Sequence, residues 1–586
     1  MIFDFHIHFS FKPANSKSYK KAENSVMPDP DHWSMRFKPK SDYKILANWD
    51  KTSIKASQAN GDALIEGNLR VICNSLYPLE RGFIKHTIID VISMLTGFSS
   101  ERLKQLKDNK LSYFQALEIE YRNMLQNQSR SSYSVNGSTF KLVNSFDEIQ
   151  NELRRSDNSF VVLNTVEGAH AFADDFFTKQ GHYVSMLAEE RKYILSVKRK
   201  KGDSFFEKFI DSHIGNIDFI KTNWAHVPFF VTFAHHYYNH LSGFAQSLGP
   251  GIDFAVNQAG GTVKRDGEAI SFFHLGIHPW GNKVLAQLLK RKTEDGTRVR
   301  RILIDVKHMS VQSRLDYYMN VVRPMKAQYE DQIPIIKSHT AVSGRKNMKR
   351  SIDNELKLFN DEKDRSKYFF SGDINLFDDE ILEIIQSDGL IGIMIDERRI
   401  IGMELPPEAG ITYKEFSKIV KESQKNISVY FKELHRHKWA EIDDAQLVEI
   451  DKEYKKTRTS LNAILLPCYF SVILRQLFHI VEFGGGEKAW DHICLGTDYD
   501  GVINPLDLYV QAGDMKTLEQ DLTGFWDKML VHHSTELKHI YSAFLFGKKP
   551  KHWITKFLFS NGMEFLKKYF NDAYLLNGET PVKPIV

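Results

Sequence analysis

Eight short apolar runs recur along the chain, and each ends in polar or ionisable residues. They span residues 2–8, 69–75, 160–167, 228–235, 301–308, 333–339, 390–396 and 492–498. Runs that are apolar throughout, rather than alternating, are typical of strands buried on both faces, as in a parallel sheet. Because helical patterns precede some of them, at 280–289 and 378–386 for example, the chain predicts an α/β fold, a (β/α)8 TIM barrel.

The 586 residues exceed what the barrel needs, so we expect long loop insertions between the runs. The largest lies between the seventh and eighth runs, where 397–483 predicts a mostly helical insertion within one barrel domain, 1–586. Its apolar face includes Phe416, Ile419 and Phe431. We expect this face to pack on the scaffold; the alternative is a lid over the site or a homo-oligomer surface.

Composition narrows the classes of function. Lysine and arginine total 78 against 74 acidic residues, and a net charge of +4 gives no overall attraction to nucleic acid or membrane. The three cysteines, Cys73, Cys468 and Cys494, are far apart and fit a reducing compartment. The longest apolar stretch, 461–483, contains Pro467 and charged residues, which favours a buried helix over a membrane span. We therefore expect a cytoplasmic enzyme without nucleic-acid or membrane partners.

Two histidines, His6 and His8, close the first run. Residues two apart on a strand point to the same face, so both imidazoles would project together as half of a metal site. Without further ligands they would be two histidines of a half-buried strand. Other runs also end in ionisable residues, and a (β/α)8 barrel builds its active site at these strand ends. The candidates are His6, His8, Glu167, His235, His308, His339 and Asp498.

Imidazoles combined with carboxylates suit Zn²⁺ and, less selectively, Mn²⁺, Fe²⁺ or Co²⁺. The candidates exceed what one tetrahedral ion needs, so we expect two divalent ions, with Zn²⁺ the first choice. Glu167 precedes the tight Gly168-Ala169 sequence and is the candidate bridging ligand. A metal-activated hydroxide would attack a polarised carbonyl, and Asp498 would pass the proton to the leaving amine.

The same stretches resemble the membrane dipeptidase (renal dipeptidase) family of metal-dependent hydrolases, within the amidohydrolase-type barrels. The matches follow the family's order: 4–8, 166–170, 231–235 with Asn239, 303–310, 334–339 and 495–501, with a looser match at 561–566. The resemblance implies that His6 and His8 bind the first metal, that Glu167 bridges the pair, and that His308 and His339 bind the second.

The resemblance also implies roles around the metals. Asp498 would be the proton shuttle and touch the first metal. His235 would contact the substrate or the tetrahedral intermediate rather than a metal, and Asn239 would be a further substrate-binding residue.

Two departures separate this chain from the family pattern. His8 stands where the family has an aspartate, which changes the charge of the first metal site by one unit. The family places an arginine that holds the substrate carboxylate just before an Asn-x-Pro-Asp stretch. The similar stretch here, 375–378, lacks that arginine, and Arg345 is the nearest candidate for its role.

Three functions follow from these observations. The first is a binuclear dipeptidase-type hydrolase that cleaves the amide bond of a dipeptide or similar small substrate. The second is an amidohydrolase-type enzyme acting on another amide, a lactone or a phosphoester. The third is a catalytically inactive barrel whose insertions bind protein; it predicts degraded metal ligands, whereas the candidate set here is intact.

Overall fold

The computed structural model describes residues 1–16, 32, 57–85, 98–108, 110–128, 137–173, 204–247, 262–265, 268–293, 295–353, 367–422, 444–501 and 503–577. These residues contain thirteen strands: β1 (Ile2–Ile7), β2 (Leu69–Leu76), β3 (Thr139–Leu142), β4 (Ser159–Glu167), β5 (Phe230–Thr232), β6 (Thr262–Arg265), β7 (Glu268–Ser271), β8 (Leu303–Asp305), β9 (Ile336–Thr340), β10 (Val342–Arg345), β11 (Leu376–Phe377), β12 (Leu390–Ile393) and β13 (Ile493–Leu495).

Helices fill most of the connections between the strands. The longer ones are Ser100–Lys107, Tyr113–Asn127, Phe146–Arg155, Ser204–Asn223, Pro279–Leu289, Asp378–Gln386, Asp444–Phe483, Leu518–Leu530, Thr535–Ala543 and Asn561–Tyr569. The shorter α and π segments are Phe11–Asn15, Gly61–Glu66, Arg81–Lys85, Val311–Tyr317, Tyr318–Val322, Arg323–Tyr329, Met348–Asp353, Glu397–Ile400, Pro550–Thr555, Lys556–Ser560 and Asp572–Leu575. Short 3₁₀ turns cover Ala169–Phe172, Phe272–His274, Pro407–Ala409, Glu487–His492 and Ala512–Thr517.

Eight parallel strands form a ring in the order β1-β2-β4-β5-β8-β9-β12-β13. The ring closes just beyond the ends of β1 and β13. There the Asp498 N–H donates to the His6 carbonyl at 2.8 Å, and the His8 N–H donates to the Tyr499 carbonyl at 2.9 Å. Each strand falls within one of the eight predicted runs or extends it by one residue, so the predicted (β/α)8 barrel is confirmed.

Some sheet structure was not predicted. β3 pairs in parallel with β4 outside the ring, and it places the buried Phe140 beside Phe160. Its four residues alternate between buried and partly exposed positions, a pattern too short to distinguish from a loop. β6 and β7 form a separate antiparallel hairpin, and β10 pairs with β11.

The connection between β12 and β13 is mainly helical where the structure describes it. Within Asp444–Phe483, the segment Ala463–Phe483 is long and apolar enough to cross a membrane, but 78% of its apolar window is buried inside the protein. Phe416 is buried and Ile419 is half-buried, whereas Phe431 lies outside the described residues. The single-domain assignment, with 397–483 as an insertion, stays a prediction.

Candidate metal centre

Glu167 is the last residue of β4 and lies at the centre of the site. The chain turns directly after it at Gly168, whose φ of +86° is left-handed. A Cβ at Gly168 would lie 2.2 Å from the ring of His170, so only glycine fits this turn. The turn leaves the Glu167 carboxylate facing the C-terminal mouth of the barrel, with 3% of its side chain exposed.

Five histidine Nε2 atoms surround the two oxygens of the Glu167 carboxylate. Three of them face Oε1: His6 at 3.4 Å, His308 at 3.6 Å and His339 at 3.6 Å. Two face Oε2: His8 at 3.0 Å and His235 at 3.3 Å. The structure therefore brings all five predicted histidines to the one predicted bridging carboxylate.

Asp498 completes the predicted cluster from the side of β13. Its Oδ1 lies 3.3 Å from Nε2 of His8 and 3.6 Å from Nε2 of His6, and its Oδ2 lies 4.0 Å from Nε2 of His339. Its side chain is 13% exposed, more than the side chains of the other predicted ligands. Asp498 is thus the member of the cluster nearest to solvent.

The spacing of the ring nitrogens tests whether a metal fits. Nε2 of His6 lies 3.3 Å from Nε2 of His8, and Nε2 of His308 lies 3.2 Å from Nε2 of His339. Two nitrogen ligands about 2.0–2.1 Å from a tetrahedral ion stand about 3.3 Å apart. Both pairs have the separation that one shared cation each would produce, so the donor set fits a metal pair.

Ser338 fixes the tautomers of two of these rings. Its hydroxyl donates to Oδ2 of Asp305 at 2.6 Å, so its oxygen is left to accept. Nδ1 of His339 lies 2.8 Å and Nδ1 of His6 lies 3.2 Å from that oxygen. Both imidazoles therefore carry their proton on Nδ1 and turn the Nε2 lone pair towards the cluster, as metal ligands do.

A layer of buried hydrogen bonds supports the cluster from below. Asp305 also accepts from Thr232 Oγ1 at 2.7 Å and from the Ser338 N–H at 3.1 Å, which ties together β5, β8 and β9. Asp4 on β1 accepts from Thr497 Oγ1 at 2.6 Å, which ties β1 to the end of β13. Burial raises the pKa of Asp4 to about 7, although the hydrogen bonds from Thr497 oppose the rise.

Two candidate ligands have unusual backbone conformations. His308 has a φ of +66° and Asp498 has a φ of +61°. Non-glycine residues in this left-handed region cost roughly 1–2 kcal/mol each and cluster at functional sites. The chain holds both side chains in the cluster at the expense of backbone strain.

The electrostatics divide the five histidines into two classes. Burial disfavours the charged form of His8 and of His235, but Glu167 acts together with Asp498 on His8 and with Glu80 on His235, and these carboxylates raise the two pKa values to about 10 and about 9. Burial lowers the pKa of His308 and of His339 well below the usual value. Although burial opposes it, the surrounding imidazoles hold the pKa of Glu167 well below its usual range. Neutral His308 and His339 beside an ionised carboxylate form a set ready to bind cations.

His236 and Glu80 also reach the cluster, although sequence reasoning did not single them out as site residues. The ligand nitrogens of His235, His236 and His308 lie within 4.8 Å of one another. His236 Nδ1 lies 2.5 Å from Ser247 Oγ. Glu80, four residues beyond β2, accepts from His235 Nδ1 at 2.6 Å. The only sequence signal for Glu80 is its position after the second strand.

Two predicted substrate-binding residues, Asn239 and Arg345, have other contacts. Nδ2 of Asn239 donates to the Phe233 carbonyl at 2.7 Å, and its Oδ1 accepts from the Leu241 N–H at 3.0 Å, so the side chain stabilises its own loop. Arg345 forms an ion pair with Asp373 and donates to Ser351 Oγ at 2.6 Å. Within the described residues, neither Asn239 nor Arg345 makes a polar contact with the metal-ligand cluster.

Two cations, Lys307 and Arg399, lie near the cluster. Burial, and then the charge of Arg399, lowers the pKa of Lys307 to about 7. Burial also lowers the pKa of Arg399 to about 10, against the opposing effects of Asp396 and Asp498. The charges of the two cations and of Asp498 therefore influence one another.

No protein-family model and no curated protein matches the chain. Solved structures do match it at low identity. The probable dipeptidase PvdM from Pseudomonas aeruginosa is 12% identical over 87% of this chain and 88% of that chain, with a TM-score of 0.40. A metallopeptidase from Rhodobacter sphaeroides, liganded with a phosphinate mimic of the dipeptide L-Ala-D-Ala, is 10% identical over 97% and 98%, with a TM-score of 0.41.

An amidohydrolase from Pseudomonas aeruginosa is also similar, at 11% identity over 86% of this chain and 90% of that chain, with a TM-score of 0.34. The three similar structures are thus a probable dipeptidase, a metallopeptidase and an amidohydrolase.

Proposed function

We propose that the protein is a binuclear metal-dependent hydrolase that cleaves the amide bond of a dipeptide or similar small substrate. The observation that carries this proposal is the arrangement of five imidazole Nε2 atoms, from 3.0 to 3.6 Å, around the carboxylate of Glu167. The Nε2 atoms also lie close to one another, at 3.3 Å for His6 and His8 and at 3.2 Å for His308 and His339, and two lone pairs at this distance repel unless a proton or a cation lies between them. The arrangement is therefore best explained as a ligand set.

His6 and His8, with Asp498, would hold the first ion, and His308 and His339 would hold the second, with Glu167 between them. When bound, two divalent cations, most suitably Zn²⁺, would polarise a carbonyl oxygen and lower the pKa of a nearby water. Because the protons of His6 and His339 are fixed on Nδ1, the Nε2 lone pairs of these two rings are available to bind a metal ion.

Asp498 is the group that would move the proton. Its carboxylate lies at the solvent edge of the ligand cluster and within 3.6 Å of both first-site histidines. A carboxylate at this position can accept a proton from the attacking water and return it to the leaving amine. Since the leaving group must exit towards solvent, the most exposed member of the cluster is best placed for this transfer.

His235 would orient the substrate carbonyl. Glu80 holds the Nδ1 proton of His235 at 2.6 Å, which fixes the ring plane and aims Nε2 into the cluster beside Oε2 of Glu167. An imidazole fixed in this way can donate from Nε2 to the oxygen on which negative charge develops, once that ring nitrogen is protonated. Glu80 and Glu167 both favour the protonated ring, since each helps to raise the pKa of His235 to about 9.

A second candidate function keeps the same chemistry with a different substrate: another amide, a lactone or a phosphoester. The observation that favours it is the ion pair of Arg345 with Asp373, which engages the arginine nearest to the family's carboxylate-binding position. A substrate without a carboxylate would not need that arginine.

Metal analysis and a substrate screen test both candidates. We expect about two transition-metal ions per chain, and hydrolysis of L,L- or L,D-dipeptides rather than of lactones or phosphoesters. His339→Asn should lose metal and activity. His479→Asn changes a buried histidine that pairs with Asp378 outside the cluster, and it should retain both. A purified protein that binds no transition metal and is not activated by Zn²⁺ or Mn²⁺ would refute the binuclear proposal.

A further inference from the structure

In the part of the chain that the structure describes, two cations beside the metal-ligand cluster have no anionic partner at contact distance. Lys307 is 1% exposed, and its Nζ has no hydrogen-bond partner among the described residues. Arg399 is half-buried in the short helix Glu397–Ile400, and within the described residues its guanidinium forms no ion pair or hydrogen bond. An unpaired cation away from water is costly, so a buried Lys307 near a half-buried Arg399 favours an anion between them.

Asp396 and Asp305, two carboxylates close in sequence to these cations, are engaged elsewhere. Asp396 is held by Arg398, which donates from Nε at 3.0 Å and from Nη2 at 2.9 Å. Asp305 accepts the backbone N–H of Lys307 rather than its ammonium group, and it also binds Ser338. Neither acid therefore neutralises Arg399 or the Lys307 ammonium at contact distance.

The strand order places Lys307 and Arg399 on either side of His339, one of the candidate metal ligands. Lys307 follows β8 and Arg399 follows β12, and β9, which carries His339, lies between these strands in the ring. Asp498 follows β13, the next strand beyond β12. All four residues lie at or beyond the C-terminal ends of their strands, on the face where this fold binds its substrates.

The position of Arg399 is fixed by its surroundings. Its carbonyl accepts from Asn375 Nδ2 at 3.0 Å, and its N–H donates to the Asp396 carbonyl at 2.9 Å. The guanidinium carbon lies 5.6 Å from the centre of the Phe370 ring. These contacts hold the backbone and support the side chain while the guanidinium N–H groups stay available for a ligand.

We propose that Lys307 and Arg399 form an anion-binding subsite that takes the substrate carboxylate next to the scissile amide. The proposal rests on the hydrolase function proposed above and specifies its substrate class: small amides that carry a free carboxylate. A guanidinium matches a carboxylate with two parallel hydrogen bonds, and a buried ammonium adds a compact charge. Lys307, after β8, and Arg399, after β12, thus supply the positive charge for the substrate carboxylate. Arg345 does not supply it, because it is paired with Asp373.

Equilibrium binding to the metal-loaded full-length protein tests the subsite without requiring turnover. The probes are a phosphinate dipeptide mimic with a free C-terminal carboxylate and the same mimic as its C-terminal carboxamide. We expect the wild type to prefer the free acid about 10- to 100-fold, the range of charge-assisted hydrogen bonds. Arg399→Gln and Lys307→Met should each remove most of that preference without changing affinity for the carboxamide. Metal content, measured for each variant, should stay at the wild-type level.

Two further variants make the test specific. Arg323→Gln changes an arginine on the outer surface that pairs with Glu383, and it should leave the preference intact. Arg399→Lys keeps the charge but loses the paired donors, and it should retain part of the preference. Equal binding of the two probes by the wild type, no binding of either, or an unchanged preference in Arg399→Gln would each overturn the subsite. Arg399-dependent selectivity in a protein that hydrolyses no dipeptide would uphold the subsite and refute the proposed function.

Discussion

Nδ1 of His235 donates a 2.6 Å hydrogen bond to Oε2 of Glu80, a buried carboxylate from the loop after β2. Oε1 of Glu80 accepts from the Tyr237 N–H at 3.0 Å, and Tyr77 donates its hydroxyl to Oε2 at 3.1 Å. Both oxygens of the carboxylate are thus fixed, and they fix His235 in turn. Such a partner sets the orientation of an imidazole ring.

Glu80→Gln should therefore lower kcat about 10- to 100-fold while leaving KM and metal content close to wild type. The amide side chain keeps the shape but removes the charge that favours the protonated ring. Steady-state kinetics and metal analysis of the variant check this. Glu408→Gln, a buried change at the distant pair with Arg475, is the control. An equal loss of activity in both variants would indicate a general effect on folding.

Asp498→Asn should abolish turnover and leave metal content nearly intact. Asparagine has almost the same shape and tolerates the left-handed φ of +61°, so the loop should keep its conformation, but an amide cannot accept the proton. Turnover is measured on the best substrate of the screen, with metal counted on the same sample. Retained turnover would contradict the proton-transfer role.

Ser338→Ala should weaken metal binding by about 10- to 100-fold, because His6 and His339 would lose the oxygen that fixes their Nδ1 protons. Competition with a chelator of known affinity measures the change. Ser471→Ala removes a buried hydroxyl that bonds the Cys468 carbonyl within a helix, and it should leave metal affinity unchanged. If the two variants bind metal alike, the hydroxyl of Ser338 does not orient the ligands.

Stability should depend on a buried charge network outside the mouth of the barrel. Glu380 has no exposed side-chain surface and accepts from Arg314 at 2.9 Å and from Lys337 at 3.0 Å. Glu380→Gln would leave two buried cations without a counter-charge and should lower the free energy of unfolding by about 3–5 kcal/mol. Urea unfolding measures this. Glu383→Gln, on the same helix, breaks the partly exposed pair with Arg323 and should cost about 1 kcal/mol or less.

The buried ring of His213 predicts a pH dependence of stability. Burial lowers the pKa of His213 from 6.5 to about 4, so the folded protein resists a proton that the unfolded chain accepts. The stabilisation is present above pH 6.5 and is lost as the pH falls towards 4, by about 2 kcal/mol at pH 5. Urea unfolding at pH 7.5 and pH 5 should show a drop about 2 kcal/mol larger in the wild type than in His213→Gln. Equal drops would contradict the prediction.

The sequence predicted site residues that lie on a barrel strand or within three positions of its end, and it missed those farther along the loops. His6, His8 and His339 lie on or directly beside barrel strands, where the side-chain direction follows from the strand itself. Glu80 and Arg399 lie four and six residues beyond theirs, and no periodicity gives their direction. Lys307 was missed for another reason. The alternation of side chains along a strand does not predict its direction, because the backbone of its neighbour His308 is left-handed.

The sequence also predicted the long strands of the barrel better than the short strand outside it. The eight runs predicted the ring because each is long and apolar enough to recognise as a strand. β3 was not predicted because its four residues carry no pattern distinct from a loop, and its stability comes from pairing with β4. Local sequence does not encode a contact that only the folded neighbour supplies.

The hydrogen bonds that close the ring join residues far apart in the chain, and beside them Asp4 and Thr497, also hydrogen-bonded, are 493 positions apart. The first pair of candidate ligands, His6 and His8, therefore meets Asp498 only after β13 has been synthesised. During translation, the emerging β1 would present two histidines without their carboxylate partner and would bind a cation only weakly. Assembly of the centre is thereby coupled to completion of the barrel, and a chain interrupted before β13 would carry most of the ligands but no closed site.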